Sequence, residues 1–314
     1  MPTVVVRHDL PIAEALEGAR PDLAVRDADS VAAAAAALPD ADALVCNPSN
    51  WDDAFLDALG PGTWVQATST GYAAFPTDAF ERRGVAFTNA RGNYGPPVAD
   101  HAFALLLALA RDLPGCLAQA RERRWDRSVG DHLVDLGGRT LTVVGLGDIG
   151  ESVARRGLGF GMDVYGTKRS PDAYDGRLPD GRVRPAADLD GLLPGTEVLV
   201  LTVPLTERTR HLVDADALAA LPDSALLVNV ARGPVVDESA LLAALRDGEI
   251  AGAGLDVFEA EPLPEDSPLW DRDDVVVTPH VAGRSASFVD RFADLFLDNY
   301  DRWTGDGALE NRIV

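Results

Sequence analysis

The sequence predicts an α/β protein with two doubly wound parallel sheets. Short apolar runs bounded by turn residues alternate with helical patterns along both halves of the chain, which is the arrangement of βαβ units. A glycine-rich turn, Gly145-Leu146-Gly147-Asp148-Ile149-Gly150, directly follows one of these apolar runs in mid-chain. With 314 residues the chain can bury two modest cores, so we expect two domains.

The first half of the chain predicts four strands with helices between them. The apolar runs place strands at Thr3–Val6, Ala43–Cys46, Trp64–Ala67 and Val85–Thr88, and the periodicity places helices at Ala13–Gly18, Ser30–Leu38, Trp51–Leu59 and Pro76–Arg83. Pro96-Pro97 then begins a long apolar helix from Val98 to about Leu113, and a charged helix continues through Arg127. A helix as apolar as the first is buried on most sides.

The second half repeats the alternation after Arg139. Strands are predicted at Thr140–Val144, Asp163–Gly166, Glu197–Leu201, Ala225–Asn229, Gly252–Leu255 and Val275–Thr278, and helices at Ile149–Gly159, Ala187–Leu192, Ala215–Ala220, Glu238–Leu245 and Ser285–Trp303. The last helix follows the sixth strand of this series. We expect it to return and pack on the first domain, which would make that domain discontinuous.

The charge balance is strongly acidic, with 50 acidic residues, 28 basic residues and a formal net charge of −22. This charge repels nucleic acid phosphates and anionic membranes, so we expect neither as a partner. Adaptation to a salt-rich cytoplasm explains the acid excess, because carboxylates keep a surface hydrated while salt screens their repulsion. GC-rich codon usage is the alternative, and it explains the scarcity of lysine but not the excess of acid.

Cysteine content and hydropathy predict a cytoplasmic protein without a metal site. Cys46 and Cys116 share no metal-binding spacing, so neither a zinc site nor a disulfide framework is expected. The N-terminal residues lack the pattern of a signal peptide. The longest apolar run, Ala102 to Ala110, is too short to cross a bilayer.

The glycine-rich turn predicts a dinucleotide site of the Rossmann type. It lies between a predicted strand and a predicted helix, which is the context that gives this motif its meaning. Gly145 allows the tight turn, Gly147 lets the backbone approach a pyrophosphate, and Gly150 lets helix and strand pack closely. The helix N-terminus, from Asp148 and Ile149 onward, offers free N–H groups and positive potential to the phosphates.

The segment Thr167-Lys168-Arg169-Ser170 indicates which dinucleotide binds. It falls where such folds read the adenosine ribose, and an NAD site usually has an acidic residue there. This chain instead has two hydroxyls and two cations, of which Lys168 is the only lysine in the sequence. Arginine offers a planar fork and lysine a point charge to a 2′-phosphate. We therefore expect NADP(H) to be preferred, with NAD(H) still possible.

Three further segments predict a reductase. Arg232, Glu261 and His280 each follow a predicted strand, and ligands of doubly wound sheets bind at the carboxyl ends of strands. His280 can supply a proton near neutral pH, and Glu261 beside it would favour the imidazolium and orient the ring. Arg232 can grip a carboxylate and polarise the adjacent carbonyl. This set describes an enzyme that reduces 2-keto acids.

At these motifs the sequence resembles the D-isomer-specific 2-hydroxyacid dehydrogenase family, over nearly the whole chain. The matching stretches are GLGDIG, VPLTERTRHLV, LLVNVARGPVVDESALLAALRDGEIAGAGLDVFEAEPLP and VTPHVAG. The resemblance implies that Arg232 binds substrate and that Glu261 and His280 are the acid–base pair. It also implies that Asp256 meets the carboxamide side of the nicotinamide and that Val203, Pro204 and Thr209 line the adenine and ribose side.

Together the motifs and the resemblance define the expected sites. The residues expected to bind the cofactor are Gly145, Gly147, Asp148, Ile149, Gly150, Thr167, Lys168, Arg169, Ser170, Val203, Pro204, Thr209, Val230, Ala231, Asp256 and Gly283. Ser69, Thr70 and Gly71 resemble the family loop whose backbone N–H groups bind the substrate carboxylate. Two residues depart from the family pattern: Ala73 stands where Asp is usual, and Asp100 where Glu is usual.

The resemblance also implies an architecture. A Rossmann cofactor domain, residues 98–283, would be inserted in a flavodoxin-like substrate domain made of residues 1–97 and 284–314. The active cleft would lie between them, and a homodimer would form largely on the cofactor domain. The expected function is a D-2-hydroxyacid dehydrogenase acting on a small 2-keto or 2-hydroxy acid. Two alternatives stay open: a glyoxylate/hydroxypyruvate reductase of the same family, and a non-catalytic dinucleotide-sensing scaffold of the corepressor type.

Overall fold

The chain divides into two compact units. The first contains the residues up to Tyr94 together with Ser285–Val314, and the second is Gly95–Arg284. The computed structural model describes residues 3–305 and 307–314, without the side chain of Asp131. The last long helix of the sequence thus belongs to the same unit as the N-terminal strands.

The regular elements follow the expected βα alternation. The strands are β1 (Thr3–Arg7), β2 (Ala24–Asp27), β3 (Ala43–Cys46), β4 (Trp64–Ala67), β5 (Ala86–Thr88), β6 (Thr140–Val144), β7 (Asp163–Lys168), β8 (Val183–Pro185), β9 (Val198–Leu201), β10 (Leu226–Asn229), β11 (Gly252–Leu255) and β12 (Val275–Val277). The α-helices are α1 (Ile12–Ala19), α2 (Val31–Ala37), α3 (Ala54–Ala58), α4 (Thr77–Arg83), α5 (Gly95–Ala110), α6 (Leu113–Arg121), α7 (Asp148–Gly159), α8 (Leu189–Leu192), α9 (Ala215–Ala219), α10 (Glu238–Asp247) and α11 (Phe288–Thr304).

The first unit is a five-stranded parallel sheet in the order β2-β1-β3-β4-β5. This is the flavodoxin-like order, and helices cover both faces of the sheet. On one face Trp64 stacks on Phe296 of α11 with ring centroids 4.9 Å apart, and both side chains are fully buried. On the other face Phe55, Phe80 and Phe87 form an aromatic cluster.

The second unit is a seven-stranded parallel sheet in the order β12-β11-β10-β9-β6-β7-β8. The strand order reverses between β6 and β9, which is the topological switch point of a Rossmann sheet. Both sheets are therefore doubly wound, and the predicted fold class is confirmed. The turn after β6 is the glycine-rich segment, so it lies at the switch point.

Two strands, β2 and β8, are not predicted from the sequence, and both lie at the edges of their sheets. β2 has the sequence Ala-Val-Arg-Asp and is only partly buried, because it pairs with β1 alone. β8 is three residues long and ends in Pro185, which cannot donate a hydrogen bond to a central strand. Because β8 is present, β12 is the seventh strand of the second unit in chain order, whereas the sequence predicts it as the sixth.

The helices between the two strand series also differ from the prediction. The apolar helix α5 begins at Gly95 and ends at Ala110, three residues before the predicted Leu113. Asp112, with a φ of 41°, separates α5 from α6. Its side chain caps α6 by accepting a hydrogen bond from the Gly115 N–H at 3.1 Å. The charged helix α6 then ends at Arg121, not at Arg127.

Helix α5 packs inside the second unit. Leu105 lies against Gly254 of β11, where an added methyl group would come within 2.8 Å of its Cβ atom. Asp100 pairs with Arg156 of α7 at 2.6 Å. No single helix among residues 3–305 and 307–314 has the length and apolarity needed to cross a membrane, whereas α5 and α6 reach both only as a pair bent by 69°.

Candidate functional site

The glycine-rich turn is held by its neighbours in the sheet. Gly145 adopts a φ of 100°, a conformation that side chains disfavour, and Val203 packs on its open side. The Gly145 N–H donates to Thr167 Oγ1 at 3.3 Å, and the Leu146 N–H donates to the Thr167 carbonyl at 2.8 Å. Thr167 therefore fixes the turn to β7 through both its side chain and its backbone.

The turn leaves room where a phosphate would approach. An added methyl group at Gly147 would meet nothing within 4 Å. At Gly150 the same group would collide with the Gly145 carbonyl oxygen and lie 2.9 Å from Thr202 Oγ1. One glycine thus faces open space and another allows the tight packing of helix on turn. Helix α7 begins at Asp148, directly after Gly147, so its first N–H groups have no partner within the helix and are available to an anion such as a pyrophosphate.

The end of β7 places the predicted ribose-reading residues in two different environments. Thr167 is buried and bonded to the turn. Lys168 Nζ donates to the Leu146 carbonyl oxygen at 2.8 Å, so one of its three protons is already used. Arg169 and Ser170 are exposed. Of this segment, the side chains of Arg169 and Ser170 are the ones free to meet a ligand from solvent.

The loop after Ser170 is tied back to helix α7 through Glu151. Tyr174 Oη donates to Glu151 Oε2 at 2.5 Å, and the Arg177 N–H donates to Glu151 Oε1 at 3.0 Å. Burial, with the hydrogen bond to Glu151 as the second cause, raises the pKa of Tyr174 to about 12. The phenol therefore stays protonated and keeps donating across the neutral range. No motif in the sequence indicates this contact.

The segment after β9 is ordered by its own hydroxyl groups. Thr209 Oγ1 donates to the Pro204 carbonyl at 2.6 Å and accepts the Thr206 N–H at 2.8 Å. After β10, Asn229 Oδ1 accepts the Ala231 N–H at 3.0 Å, while Val230 and Ala231 are buried. Thr209 therefore acts here on the shape of its turn.

Glu261 and His280 meet directly. His280 Nδ1 lies 2.7 Å from Glu261 Oε2, and the other carboxylate oxygen accepts the Phe258 N–H at 3.1 Å. The imidazole is half-exposed, with 50% of its side chain accessible, and the Glu261 side chain is 35% accessible. Because Nδ1 is engaged by the carboxylate, Nε2 is the nitrogen left to meet another molecule.

The turn that carries His280 is held by Asp256, at the end of β11. The Asp256 carbonyl accepts the His280 N–H at 2.9 Å. Its carboxylate accepts the Val281 N–H at 2.9 Å and the Ala282 N–H at 2.8 Å. Three consecutive N–H groups are thus bonded to one residue. His280 itself has a φ of 51°, an uncommon backbone state for a residue other than glycine.

The Asp256 carboxylate is 1% exposed, and both its oxygen atoms have protein partners. Burial works to raise the pKa of this carboxyl. The hydrogen bonds from His101, Thr278, Val281 and Ala282 outweigh that effect and hold the pKa below its usual range. Asp256 is therefore charged and turned into the protein, where it orders the His280 turn.

Arg232 lies at the end of the neighbouring strand β10 and is exposed. Gly233, the next residue, packs so closely on the Phe258 and Glu259 backbone that a side chain there would collide with it. The loop of Arg232 thus lies against the loop that leads to Glu261. The Arg232 Nη1 group donates to the Ala231 carbonyl at 2.6 Å, and it forms no ion pair with Glu261 among the described residues.

Sequence reasoning missed His101. This residue of α5 lies in none of the motifs described above, and its Nε2 lies 2.9 Å from Thr278 Oγ1 and 3.4 Å from Asp256 Oδ1. The register of α5 relative to β11 and β12 decides this contact. A single sequence does not give that register.

In the first unit, Ser69, Thr70 and Gly71 form an exposed or half-exposed turn after β4. Ser69 Oγ donates to the Gly71 carbonyl at 2.6 Å, and the Asn89 side chain donates to the Thr70 carbonyl at 2.8 Å. Within the described part of the chain, the N–H groups of these three residues have no acceptor. The turn can therefore offer several donors to an anion.

The described residues bring no three His, Cys, Asp or Glu side chains together as metal ligands. The site thus consists of a dinucleotide turn, an exposed Arg-Ser pair and a His–Glu pair, all in the second unit.

The comparison with known families decides the identity. The model of the D-isomer specific 2-hydroxyacid dehydrogenase, NAD binding domain, matches residues 103–282, which is more than half of the chain. The chain belongs to this family. It is an NAD(P)-dependent oxidoreductase acting on 2-hydroxy acids, and the resemblance seen in the sequence is confirmed.

Individual relatives agree with the assignment. Glyoxylate/hydroxypyruvate reductase B from Yersinia enterocolitica is 38% identical over 252 residues, covering 79% of this chain and 76% of that protein. A family member from Aeromonas salmonicida has a TM-score of 0.84 with 34% identity, covering 100% of this chain and 99% of the other. The NADPH-dependent glyoxylate/hydroxypyruvate reductase from Sinorhizobium meliloti, in complex with NADP and malonate, has a TM-score of 0.76 with 31% identity, covering 100% and 97%.

Proposed function

We propose that this enzyme is an NADP(H)-preferring reductase of short 2-keto acids, with glyoxylate and hydroxypyruvate as the first candidates. The contact of 2.7 Å between His280 and Glu261 carries the proposal. In the family these residues correspond to an acid–base pair, and here they follow strands of the sheet that also carries the dinucleotide turn. The names of the Yersinia and Sinorhizobium relatives supply the substrate class.

Two protein groups carry out the proton chemistry. When bound, the reduced dinucleotide supplies a hydride to the carbonyl carbon, and the protein must supply a proton to the carbonyl oxygen. His280 donates that proton from Nε2. Glu261 holds Nδ1, and this contact orients the ring so that Nε2 can face the carbonyl oxygen.

The substrate carboxylate is bound by donors. Arg232 is the anchor, because a guanidinium offers two parallel hydrogen bonds to a carboxylate. To bind substrate, its Nη1 has to exchange the Ala231 carbonyl for the ligand. In the first unit, the Ser69-Thr70-Gly71 turn offers backbone N–H groups of the kind that bind a carboxylate. In this assignment the first unit is the substrate-binding domain and the second is the cofactor domain.

The 2′-phosphate of NADP(H) is read by Arg169 and Ser170. Both are exposed at the end of β7, and neither is an acid that would compete with the phosphate. Lys168 adds positive charge while it is bonded to Leu146, so we assign it a smaller share of the discrimination. NAD(H) lacks the phosphate and gains nothing from these groups.

The surface of the second unit favours a homodimer. Leu113 and Leu117 of α6 and the nearby Trp125 are 46%, 59% and 88% exposed. Exposed apolar side chains that together form one large patch mark a site of interaction with another protein. A second copy of this chain is the partner we assign, and replacing Leu117 by Asp should yield a monomer in sedimentation.

Two further assignments concern where the enzyme acts. We place it in the cytoplasm, and we assign its net charge of −22 to a high salt concentration there. Activity and stability should then rise toward molar KCl.

One assay tests the proposed function. Oxidation of NADPH and NADH is followed by absorbance with glyoxylate, hydroxypyruvate, pyruvate and a longer 2-keto acid. We expect turnover with the short acids and a higher kcat/KM with NADPH. A clear preference for NADH would refute the cofactor assignment. Tight NADPH binding without turnover of any of these acids would refute the proposed reductase activity and favour the dinucleotide-sensing scaffold.

A further inference from the structure

The turn that carries His280 depends on a chain of side chains reaching back to helix α5. The chain begins at His101, passes through the Thr278 hydroxyl and ends on the Asp256 carboxylate, which holds the backbone of Val281 and Ala282. All five residues belong to the second unit. None of these contacts involves the imidazole of His280.

The direction of each hydrogen bond follows from the chemistry of the groups. Thr278 Oγ1 donates to the Asp256 carboxylate at 2.7 Å, since a charged carboxylate can only accept. The hydroxyl has one proton, so toward His101 Nε2, at 2.9 Å, it must accept. His101 therefore carries its proton on Nε2. The same Nε2 lies 3.4 Å from Asp256 Oδ1, so it faces the buried carboxylate as well.

The hydrogen bonds that lead from His101 to Asp256 have to stabilise a buried negative charge. The Asp256 carboxylate is almost fully buried, and within the described residues no arginine or lysine pairs with it. A buried carboxylate with too few donors is costly and turns toward other partners. If the carboxylate shifts in this way, the Val281 and Ala282 N–H groups that it holds must shift with it or lose their acceptor. The uncommon backbone of His280, with its φ of 51°, would lose its support.

We propose that His101 is a positioning residue for His280 and acts through Thr278 and Asp256. It fixes the position of the proton donor without touching substrate. The inference rests on the proposed function insofar as His280 is that donor.

The test compares His101→Leu with His101→Gln. Leucine removes the donor, while the amide nitrogen of glutamine can replace Nε2. We expect His101→Leu to lower kcat roughly tenfold to a hundredfold, because small displacements of a catalytic group are costly. The KM for the keto acid and the Kd for NADPH should stay unchanged. His101→Gln should recover most of the rate. His132→Leu, at an exposed histidine, is the matched control and should behave as wild type.

Hydrogen exchange supplies a readout that does not need turnover. Amide exchange in residues 278–284 should speed up in His101→Leu and return toward wild type in His101→Gln. Thr278→Val removes the hydroxyl between His101 and Asp256. It should likewise lower kcat and speed up amide exchange in residues 278–284. Because both act through one chain, the double variant should be no slower than the poorer single variant.

Several results would overturn the inference. These are unchanged exchange in both His101→Leu and Thr278→Val, faster exchange without loss of kcat, or rate losses that multiply in the double variant. The proposed function fails separately, when the wild type reduces no 2-keto acid. Exchange in the same variants then still decides whether His101 holds the turn.

Discussion

Replacing Gly147 by alanine separates cofactor binding from folding. Gly147 has a φ of −98°, which alanine tolerates, and an added methyl group would meet no protein atom within 4 Å. The free energy of unfolding should therefore stay unchanged. If a pyrophosphate occupies that space, the methyl group pushes it away from the first N–H groups of α7.

The size of the effect follows from the bonds lost. A hydrogen bond to a charged group contributes about 1.5–3 kcal/mol. Losing one should raise the Kd for NADPH roughly tenfold to a hundredfold, since about 1.4 kcal/mol corresponds to a factor of ten. Fluorescence titration of NADPH measures the Kd, and urea unfolding measures stability.

Two glycines of helix α7, which follows Gly147, serve as comparisons. Gly150→Ala would collide with the Gly145 carbonyl, so both stability and binding should fall. Gly159, at the far end of α7, has free space, so Gly159→Ala should leave NADPH binding unchanged and add about 0.5–1 kcal/mol of stability. A Gly147→Ala variant that binds NADPH as tightly as wild type would refute the placement of the pyrophosphate at this turn.

Four further predictions follow from the site and the cores. Arg169→Ala should raise the Kd for NADPH roughly tenfold or more and leave NADH unchanged, because only NADPH has the 2′-phosphate; equal losses for both would contradict it. Asp256 has a lowered pKa, so it stabilises the fold above its unfolded pKa of about 3.9 and loses this as pH falls through the folded value. Asp256→Asn should therefore weaken the fall of stability in acid, and an unchanged acid unfolding curve would contradict this. Phe296→Ala should cost about 3–5 kcal/mol in urea unfolding, since the ring is fully buried against Trp64; a loss under about 1 kcal/mol would contradict the packing. The melting temperature should rise between dilute buffer and molar KCl, and full stability in dilute buffer would contradict salt adaptation.

Much of the fold follows from local patterns. The buried strands β3, β9 and β11 consist of apolar residues and glycine throughout, and β4, β6 and β10 are mostly apolar, because parallel strands covered on both faces favour apolar residues. The edge strands β2 and β8 carry charges or proline and are short. Their pairing with β1 and β7 decides that they are strands, and that pairing is not written in their own sequence.

The candidate site divides in the same way. The glycine turn and the Glu261–His280 contact could be predicted, because the motif dictates the first and adjacent strand ends favour the second. The environments of Lys168 and Thr167 could not be predicted from the sequence. Both side chains turn toward the glycine turn, and only the neighbouring strands show this. The contact of His101 could not be predicted, because it joins α5 to Thr278, the residue after β12, which lies 177 positions away in the sequence.

The most direct test of the central claim is the turnover of His280→Gln at saturating NADPH and glyoxylate, with the Kd for NADPH measured on the same sample. The account predicts that kcat falls roughly a hundredfold to ten-thousandfold, as expected for loss of a general acid, while the Kd stays at the wild-type value. Near-normal turnover in this variant would contradict it.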